Sequence, residues 1–368
     1  MTTVSPQDMT PSVFTESAKT GLIYIDVLRI MAIVLVITGH VCIDLTEYEA
    51  MQTWLKAGIV GAFFGSFCIN SLPIFIMLSG MLLLDKSNHE SLAIFYKKRV
   101  KKVLIPFIAW LFLYYAYYLT IRGDQFSALG FVRELLVGWN TDHIPWHLWY
   151  LLMILSLYIF TPIIRAITDN LDRKVLIGFL GILFVYEFIF PLIGELFQIE
   201  LGLYTYKSLS SIYLFYYLLG FVLSTREHKD NNGSLFAIFV VGYLTTFLGT
   251  VYAFLNGYNA SLYNTNRLNV LIMVISIFLL IKNLCGATLK RAVLISAIRK
   301  IGSMTFGIYL VHIMIMSSLG RGDFGIRVTR DLVNPLIGIP VLTTVVFLLS
   351  LLAVYVMKKI PIIKEIVP

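Results

Sequence analysis

Ten long apolar segments restrict what this 368-residue chain can fold into. Most approach the roughly 20 apolar residues that an α-helix needs to cross the hydrocarbon core of a bilayer. They lie at 22–43, 57–84, 103–121, 146–164, 175–193, 209–224, 235–255, 268–284, 303–319 and 336–357. Only 14% of the residues are charged and the mean hydropathy is +0.83, which excludes an ordinary soluble globular protein. We therefore expect an all-α polytopic membrane bundle of about ten transmembrane helices.

The apolar segments are expected to form one domain, because no linker, internal repeat or low-complexity tract divides them. We place this transmembrane domain at 22–357, between an N-terminal tail at 1–21 and a C-terminal tail at 358–368. The N-terminal tail lacks the apolar core and the small-residue cleavage site of a signal peptide, so the first segment is expected to be a retained anchor. The second segment contains Pro73, and because proline removes a helical hydrogen bond, we expect a helix break there.

Lysine and arginine are distributed unequally between the two ends of the segments. With the N-terminus in the cytoplasm, 20 of the 29 Lys and Arg residues fall on the cytoplasmic side and eight on the opposite side. Cytoplasmic loops of membrane proteins are enriched in these residues, so we expect both termini in the cytoplasm. The net charge of +8 then reflects orientation and contact with membrane lipid, and no nucleic-acid partner is expected.

Three ionisable residues interrupt the first apolar segment, where residues 24–40 read YIDVLRIMAIVLVITGH. The eleven-residue step from Arg29 to His40 spans about 16 Å and turns the helix by roughly 1,100°, so both residues lie on nearly the same face. Asp26 precedes Arg29 by three residues and can pair with it. Ionisable residues at membrane depth usually face a cavity, which favours a polar path through the bundle. The alternative is that Arg29 and His40 each extend to the nearest membrane interface.

His312 is expected near the middle of the membrane, within GSMTFGIYLVHIMIM at 302–316. Alone, it would be interpreted as a packing residue. Together with Arg29 and His40 it indicates proton transfer or an anionic ligand. Glu187, inside the fifth segment, is a weaker candidate for the same polar path.

The first segment resembles the start of the bacterial acyltransferase-3 family, whose integral membrane members modify cell-surface glycans. The resemblance rests on an aromatic-Ile-Asp-x-Leu-Arg start followed by the spacing from Arg29 to His40. Further elements follow in the family's order over nearly the whole chain from about residue 22: PIFIMLSG (73–80), FYKKRVKKVLIPF (95–107), HLWYLLMILSLYIFTPIIR (147–165) and FGIYLVH (306–312). One element departs from the family, which often has Arg-x-x-Arg where this chain has Arg99 and Lys102. Lysine contacts phosphate but lacks the planar two-pronged guanidinium.

The resemblance implies an acyl-CoA donor, most often acetyl-CoA, that approaches from the cytoplasm. It implies an acceptor hydroxyl on a surface glycan or a lipid-linked sugar, and a location in the bacterial cytoplasmic (inner) membrane. Catalytic roles are implied for His40 and Arg29, with His40 as general base or as transient acyl carrier. The other implicated residues bind ligands: Arg99, Lys102 and Ser79 the donor, and His147, Trp149, Tyr309 and His312 the acceptor substrate.

Two of these patterns also have simpler interpretations. The five basic residues within 95–102 would attract a phosphate-rich ligand, but they would equally mark topology and contact lipid headgroups. Trp149 could stack on a sugar ring, but aromatic residues are also common at membrane interfaces.

No metal site is expected from the sequence. The three cysteines are scattered without CxxC spacing. His143 and His147 are four residues apart, but Pro145 lies between them and no third ligand is nearby.

The alternative function is export of a polysaccharide, a lipid or a small anion without acyl transfer. Some relatives in the same family are associated with polysaccharide export. Helix breaks at paired positions of two inverted halves would favour a transporter. The expected break at Pro73 has no evident counterpart, which favours the enzyme. A purely structural membrane protein explains Arg29, His40 and His312 poorly.

Overall fold

The computed structural model describes residues 23–46, 55–88, 90–137, 145–199, 211–226, 230–257, 262–288, 291–330 and 334–368. These residues form helices and loops without β-strand. The helices are α1 (Ile23–Thr46), α2 (Leu55–Cys68), α3 (Ser71–Leu84), α4 (Leu92–Arg99), α5 (Ile105–Arg122), α6 (Ala128–Val137), α7 (Trp149–Asn170), α8 (Arg173–Phe184), α9 (Phe190–Phe197), α10 (Ser211–Ser224), α11 (Asn232–Leu255), α12 (Leu268–Thr288), α13 (Ala292–Gly302), α14 (Thr305–Arg321) and α15 (Pro335–Met357). One wide helical turn, Val100–Leu104, joins α4 to α5, and another, Val185–Ile189, joins α8 to α9.

Within the described residues, eight helical stretches are long and apolar enough to cross a membrane. The pair α13 and α14, bent by 59° at its break, would be a ninth crossing, and the shorter apolar helix at Ile212–Ser224 occupies the sixth apolar segment. Each of the ten apolar segments therefore coincides with helix. The prediction of an all-α polytopic bundle of about ten transmembrane helices is confirmed, and the chain is a multi-pass membrane protein.

The helix break expected near Pro73 is present. Helix α2 ends at Cys68 and α3 begins at Ser71, so Pro73 lies in the first turn of α3, where a missing N–H leaves no helical hydrogen bond unmade. The buried Asn70 between the two helices donates through Nδ2 to the Phe67 carbonyl at 2.9 Å and so satisfies the end of α2.

Helix α1 lies at the centre of the described bundle. It packs against α2, α3, α12, α13, α14 and α15. Leu28, Ala32, Ile33 and Ile37 are completely buried, although the segment carries charged residues. The helix that contains Arg29 and His40 is therefore enclosed by protein, which favours a polar path inside the bundle over contact with headgroups.

The closest helix crossing joins α3 to α10. A Cβ on Gly80 would lie 1.8 Å from the Tyr217 carbonyl oxygen, and a Cβ on Gly220 would lie 2.1 Å from the Met77 carbonyl oxygen. Only glycine permits this backbone contact, which is the usual way for helices to pack tightly without a hydrophobic driving force in lipid.

The residues after α15 turn back onto the bundle. The Trp110 indole donates to the Ile366 carbonyl at 2.9 Å, and the Val367 side chain is completely buried. Lys101 and Glu365 form an ion pair at 3.1 Å. The segment expected to be a C-terminal tail thus packs beside the wide turn at Val100–Leu104.

Candidate active site

A cavity of about 720 Å³ opens at one end of the bundle, and we call it the basic cavity. The basic side chains that line it come from five elements: Arg29, Lys98, Arg99, Lys102, Arg165 and Lys358. Among the described residues that line it, Glu90 is the one acidic side chain, and it is paired with Lys98. That hydrogen bond lowers the pKa of the Glu90 carboxyl. Burial, and next the positive charge of Lys102, lower the pKa of the Lys358 ammonium. Such an excess of positive charge suits a polyanionic ligand.

Two arginines enclose one aromatic ring in this cavity. The Arg99 guanidinium lies 5.0 Å from the ring centroid of Phe95 and the Arg165 guanidinium 4.7 Å. Arg165 is buried and donates through Nε to the Leu83 carbonyl at 2.6 Å. The buried Nε of Arg99 has no hydrogen-bond partner among the described residues. Cation–π contact holds both groups in place while leaving donors for a ligand.

Arg29 and Ser79 line the same cavity from α1 and α3. Arg29 donates through Nη1 to the Asp26 carboxylate at 3.2 Å, as the three-residue spacing predicts. The Ser79 hydroxyl lies 3.4 Å from the Tyr158 hydroxyl, whose ring is 5.3 Å from the Arg99 guanidinium. A hydroxyl pair therefore lies beside the arginines, within the same cavity.

A second cavity, of about 370 Å³, lies nearer the opposite end of the bundle, and we call it the histidine cavity. His40, His147, Trp146 and Trp149 line it, and about half of the Trp146 surface remains exposed at its edge. The Trp146 ring centroid is 5.7 Å from that of His40. An aromatic surface beside an imidazole is a suitable platform for a sugar ring.

Three histidines meet at this cavity and form what we call the histidine triangle. The ring centroids of His40 and His312 are 5.2 Å apart, those of His147 and His312 5.2 Å, and those of His40 and His147 5.9 Å. They come from the end of α1, the turn before α7 and the middle of α14. Sequence separations above 100 residues hide this cluster from any local pattern.

Hydrogen bonds orient two members of the triangle. Nδ1 of His312 lies 2.6 Å from the Tyr309 carbonyl oxygen, which can only accept, so Nδ1 carries the proton and Nε2 keeps its lone pair. The Tyr309 hydroxyl donates to the His147 carbonyl and fixes the turn that carries His147. Both ring nitrogens of His147 and Nε2 of His312 are buried without a hydrogen-bond partner among the described residues. Neutral imidazoles in this arrangement can accept a proton from a hydroxyl.

The structure places the nine residues to which the family resemblance assigned a role in or beside the two cavities. Arg29, Ser79, Arg99 and Lys102 line the basic cavity, His40, His147 and Trp149 line the histidine cavity, and Tyr309 lines both. His312 is completely buried against His40 and His147. Glu187 is buried elsewhere and lines neither cavity. His143 lies outside the described residues.

Sequence analysis missed Arg165, Tyr150 and Tyr158, which line the basic cavity from α7. A signal for two of them was available, because Tyr158 and Arg165 are seven residues apart and so share a helical face. Within the described residues, no group of three or more His, Cys, Asp and Glu side chains is arranged to hold a metal ion.

Comparison with known proteins identifies the family of this chain. A family model described as an acyltransferase domain, that of the acyltransferase-3 family, matches residues 22–355. Proteins of Staphylococcus aureus strains Mu50, MRSA252 and MSSA476, each named "Probable poly-beta-1,6-N-acetyl-D-glucosamine export protein", are 23% identical over 300 residues, 79% of this chain and 81% of theirs. No solved structure matches the chain significantly. Because the family model covers nearly all of the helical bundle, the chain belongs to the acyltransferase-3 family of membrane proteins.

Proposed function

We propose that the protein transfers an acyl group, acetyl in the simplest case, from acyl-CoA to a hydroxyl of a cell-surface or lipid-linked glycan. The observation that carries this proposal is the arrangement of the two cavities. One helix, α1, presents Arg29 to a basic cavity and His40 to the histidine triangle. This arrangement supports a site in which an anionic carrier binds on one side and a proton acceptor lies on the other.

The donor's phosphates occupy the basic cavity in this proposal. Arg99 and Arg165 face it with guanidinium groups held against Phe95, and Lys102 adds a mobile positive charge. Arginine binds phosphate through paired donors and lysine through a point charge. Arg29 is paired with Asp26, so it adds less net positive charge to the cavity than an unpaired arginine would. The ion pair instead orients the Arg29 guanidinium.

The histidine triangle supplies the base. The acceptor hydroxyl oxygen attacks the thioester carbonyl carbon, an ester C–O bond forms and the C–S bond breaks. His40 takes the hydroxyl proton and returns it to the leaving thiolate, which departs as the CoA thiol. Arg29 and the other positive groups hold the donor, while His147 and His312 surround the acceptor with His40. General-base assistance of this kind contributes about 10²–10⁴-fold to a rate.

The basic cavity faces the cytoplasm in this proposal, in the bacterial inner membrane. Lys98, Lys102, Arg165 and Lys358 all belong to the end of the bundle that carries most of the chain's Lys and Arg residues. The positive-inside rule assigns that end, with both termini, to the cytoplasm, where acyl-CoA is made. Trp146 and Trp149 then face the outer side, where a glycan can stack on them.

Export of a polysaccharide is the second candidate function. The staphylococcal relatives carry the word export in their names, and they align with 79% of this chain. In that case the same cavities would form a passage and no acyl bond would be made. The two functions differ in whether the histidine triangle is chemically required.

The test uses inside-out membrane vesicles from cells that make the full chain, supplied with acetyl-CoA labelled in its acetyl group. Alkali-labile label in the glycan fraction is the readout. We expect His40→Ala to lower labelling by about 10²-fold or more. The matched control is Thr38→Val on the same helix, because the Thr38 hydroxyl donates to the Val34 carbonyl at 2.8 Å and Thr38 lines neither cavity. Equal labelling with His40→Ala and wild type would contradict the catalytic role of His40, and export without any labelling would favour the second candidate.

A further inference from the structure

The basic cavity and the histidine cavity share three lining residues, and all three are aromatic. Phe75, Tyr150 and Tyr309 line both cavities, and we call this set the aromatic partition. The ring centroids of Phe75 and Tyr150 are 6.4 Å apart and those of Tyr150 and Tyr309 are 5.6 Å apart. Rings at these separations are in contact, so the partition is a continuous layer.

Each ring of the partition is contributed by a different helix. Phe75 lies on α3, Tyr150 on α7 and Tyr309 on α14. Tyr309 is buried, stacks on Phe306 at 6.5 Å between centroids and donates its hydroxyl to the His147 carbonyl. The layer is therefore held by three packed helices and by a hydrogen bond to the turn that carries His147. The spacing of the three rings is therefore determined by how these helices pack.

Helix α1 also contributes to both cavities, through Arg29 in the basic cavity and through Val36 and His40 in the histidine cavity. Ala32 and Val36 follow Arg29 at three and seven residues, so they lie on the same face between Arg29 and His40. Their side chains are small, whereas the rings of the partition are large. Gly39 extends the small surface beside His40 and lines the histidine cavity. Between Arg29 and His40, α1 therefore carries small apolar side chains on the face that bears both site residues.

The partition limits what can move from one cavity to the other. Charged groups are excluded, since the aromatic rings and the small side chains of α1 carry no counter-charge and burying an unpaired charge is costly. The thin, uncharged arm of acyl-CoA can enter, and its acyl end must reach His40 while its phosphates stay in the basic cavity. The acyl group is the leading part of the donor, so its size decides whether it fits beyond Tyr150.

We propose that the aromatic partition selects acyl length, so that a two-carbon acyl group reaches the histidine triangle and longer chains are refused. Phe75 and Tyr150 are then specificity-determining residues that lie on the reaction path without taking part in proton transfer. This inference rests on the proposed function, because it concerns which acyl group the same site accepts.

The test measures transfer from acetyl-, butyryl- and hexanoyl-CoA, each labelled in the acyl group, in inside-out vesicles. Wild type should transfer acetyl best and hexanoyl worst. Tyr150→Ala should raise the hexanoyl-to-acetyl ratio at least tenfold, and Phe75→Trp should lower acetyl transfer at saturating acetyl-CoA. Phe247→Ala is the matched control, since Phe247 packs on Tyr243 and Phe63 and lines neither cavity, and it should keep the wild-type ratio.

Folding of each variant is checked by monodisperse elution in detergent, and Tyr150→Leu replaces Tyr150→Ala if the latter aggregates. Equal transfer of all three acyl groups by wild type would overturn the inference while leaving the proposed function intact. An unchanged ratio in the folded Tyr150 variants would also overturn it. Absence of label from every donor would overturn the proposed function itself, and the acyl-length assignment with it.

Discussion

Individual residues in this bundle show how polar groups are stabilised where lipid and protein surround them. Arg29 is paired with Asp26, Arg165 donates to the Leu83 carbonyl, and His312 donates to the Tyr309 carbonyl. Each group has a hydrogen-bond partner within the protein, and the rest of the group faces a cavity or a neighbouring ring. A buried polar group costs free energy unless it is hydrogen-bonded, so donors that remain unpaired in a cavity favour ligand binding.

Arg165→Lys tests the part of the basic cavity that sequence analysis missed. Lysine keeps the positive charge but lacks the planar guanidinium. It therefore cannot donate to the Leu83 carbonyl and also offer paired N–H donors to a phosphate. Loss of one charge-assisted hydrogen bond costs about 1.5 kcal/mol, so we expect KM for acetyl-CoA to rise roughly tenfold with little change in kcat.

Steady-state labelling over a range of acetyl-CoA concentrations measures both constants. Arg173→Lys is the matched control, because exposed Arg173 bonds only to Thr225 and Val222 outside the cavities. If Arg165→Lys and Arg173→Lys gave the same KM as wild type, Arg165 would have no role in donor binding.

At the scale of helices, function depends on how breaks and close crossings place the cavity walls. The bend of 59° between α13 and α14 turns α14 so that Tyr309 and His312 face the centre. The break before Ser71 similarly begins α3 at the histidine cavity, where Ser71 and Leu72 form part of the lining. Crossings such as that of α3 with α10 then keep these walls in position.

Gly80→Ala tests the crossing of α3 with α10. Even one methyl group would lie 1.8 Å from the Tyr217 carbonyl oxygen, so the helices must separate. We expect destabilisation of about 1–3 kcal/mol or more, as for other overpacked sites, and a lower midpoint of thermal unfolding in detergent.

Gly181→Ala on α8 is the matched control, since a Cβ there meets nothing within 4 Å. Alanine stabilises a helix interior by about 1 kcal/mol relative to glycine, so this variant should be at least as stable as wild type. Similar melting of the two variants would show that the backbone contact at Gly80 does not exist in the folded protein.

Across the whole molecule, the basic side chains that line a cavity lie at one end of the bundle. The basic cavity, with Lys98, Arg99, Lys102 and Lys358, lies at the end that carries most of the chain's Lys and Arg residues. The histidine cavity lies nearer the other end and contains the exposed edge of Trp146. In the proposed function, this arrangement lets a donor from one side of the membrane meet an acceptor from the other inside the bundle.

Cysteine labelling in intact cells tests the orientation of the bundle. Gln125 and Asp172 are exposed, and each follows the C-terminal end of its span. Because the two spans are neighbours along the chain and run in opposite directions, the two residues are expected on opposite sides of the membrane. In a Cys285→Ser background, where Cys42 and Cys68 remain buried, we expect Gln125→Cys to react with an impermeant maleimide from outside. Asp172→Cys should react only after permeabilisation. The reverse pattern would place the basic cavity on the outer face and remove its access to cytoplasmic acyl-CoA.

The sequence determined the helical bundle, because apolar segments about 20 residues long can pair all their backbone N–H and C=O groups in lipid by forming helices. Helical periodicity likewise determined that Asp26 pairs with Arg29 and that Arg29 and His40 share a face. Such contacts lie within one helix, so a single segment contains all the information they need.

Only the tertiary structure decided that His40, His147 and His312 meet, that Arg165 joins Arg99 around Phe95, and that three rings separate the two cavities. These groups come from helices far apart in sequence. Their distances depend on how α1, α3, α7 and α14 pack, and in particular on close crossings and on the bend before Thr305. The physical reason is that periodicity orients a residue around its own helix, whereas packing decides which helix that residue faces.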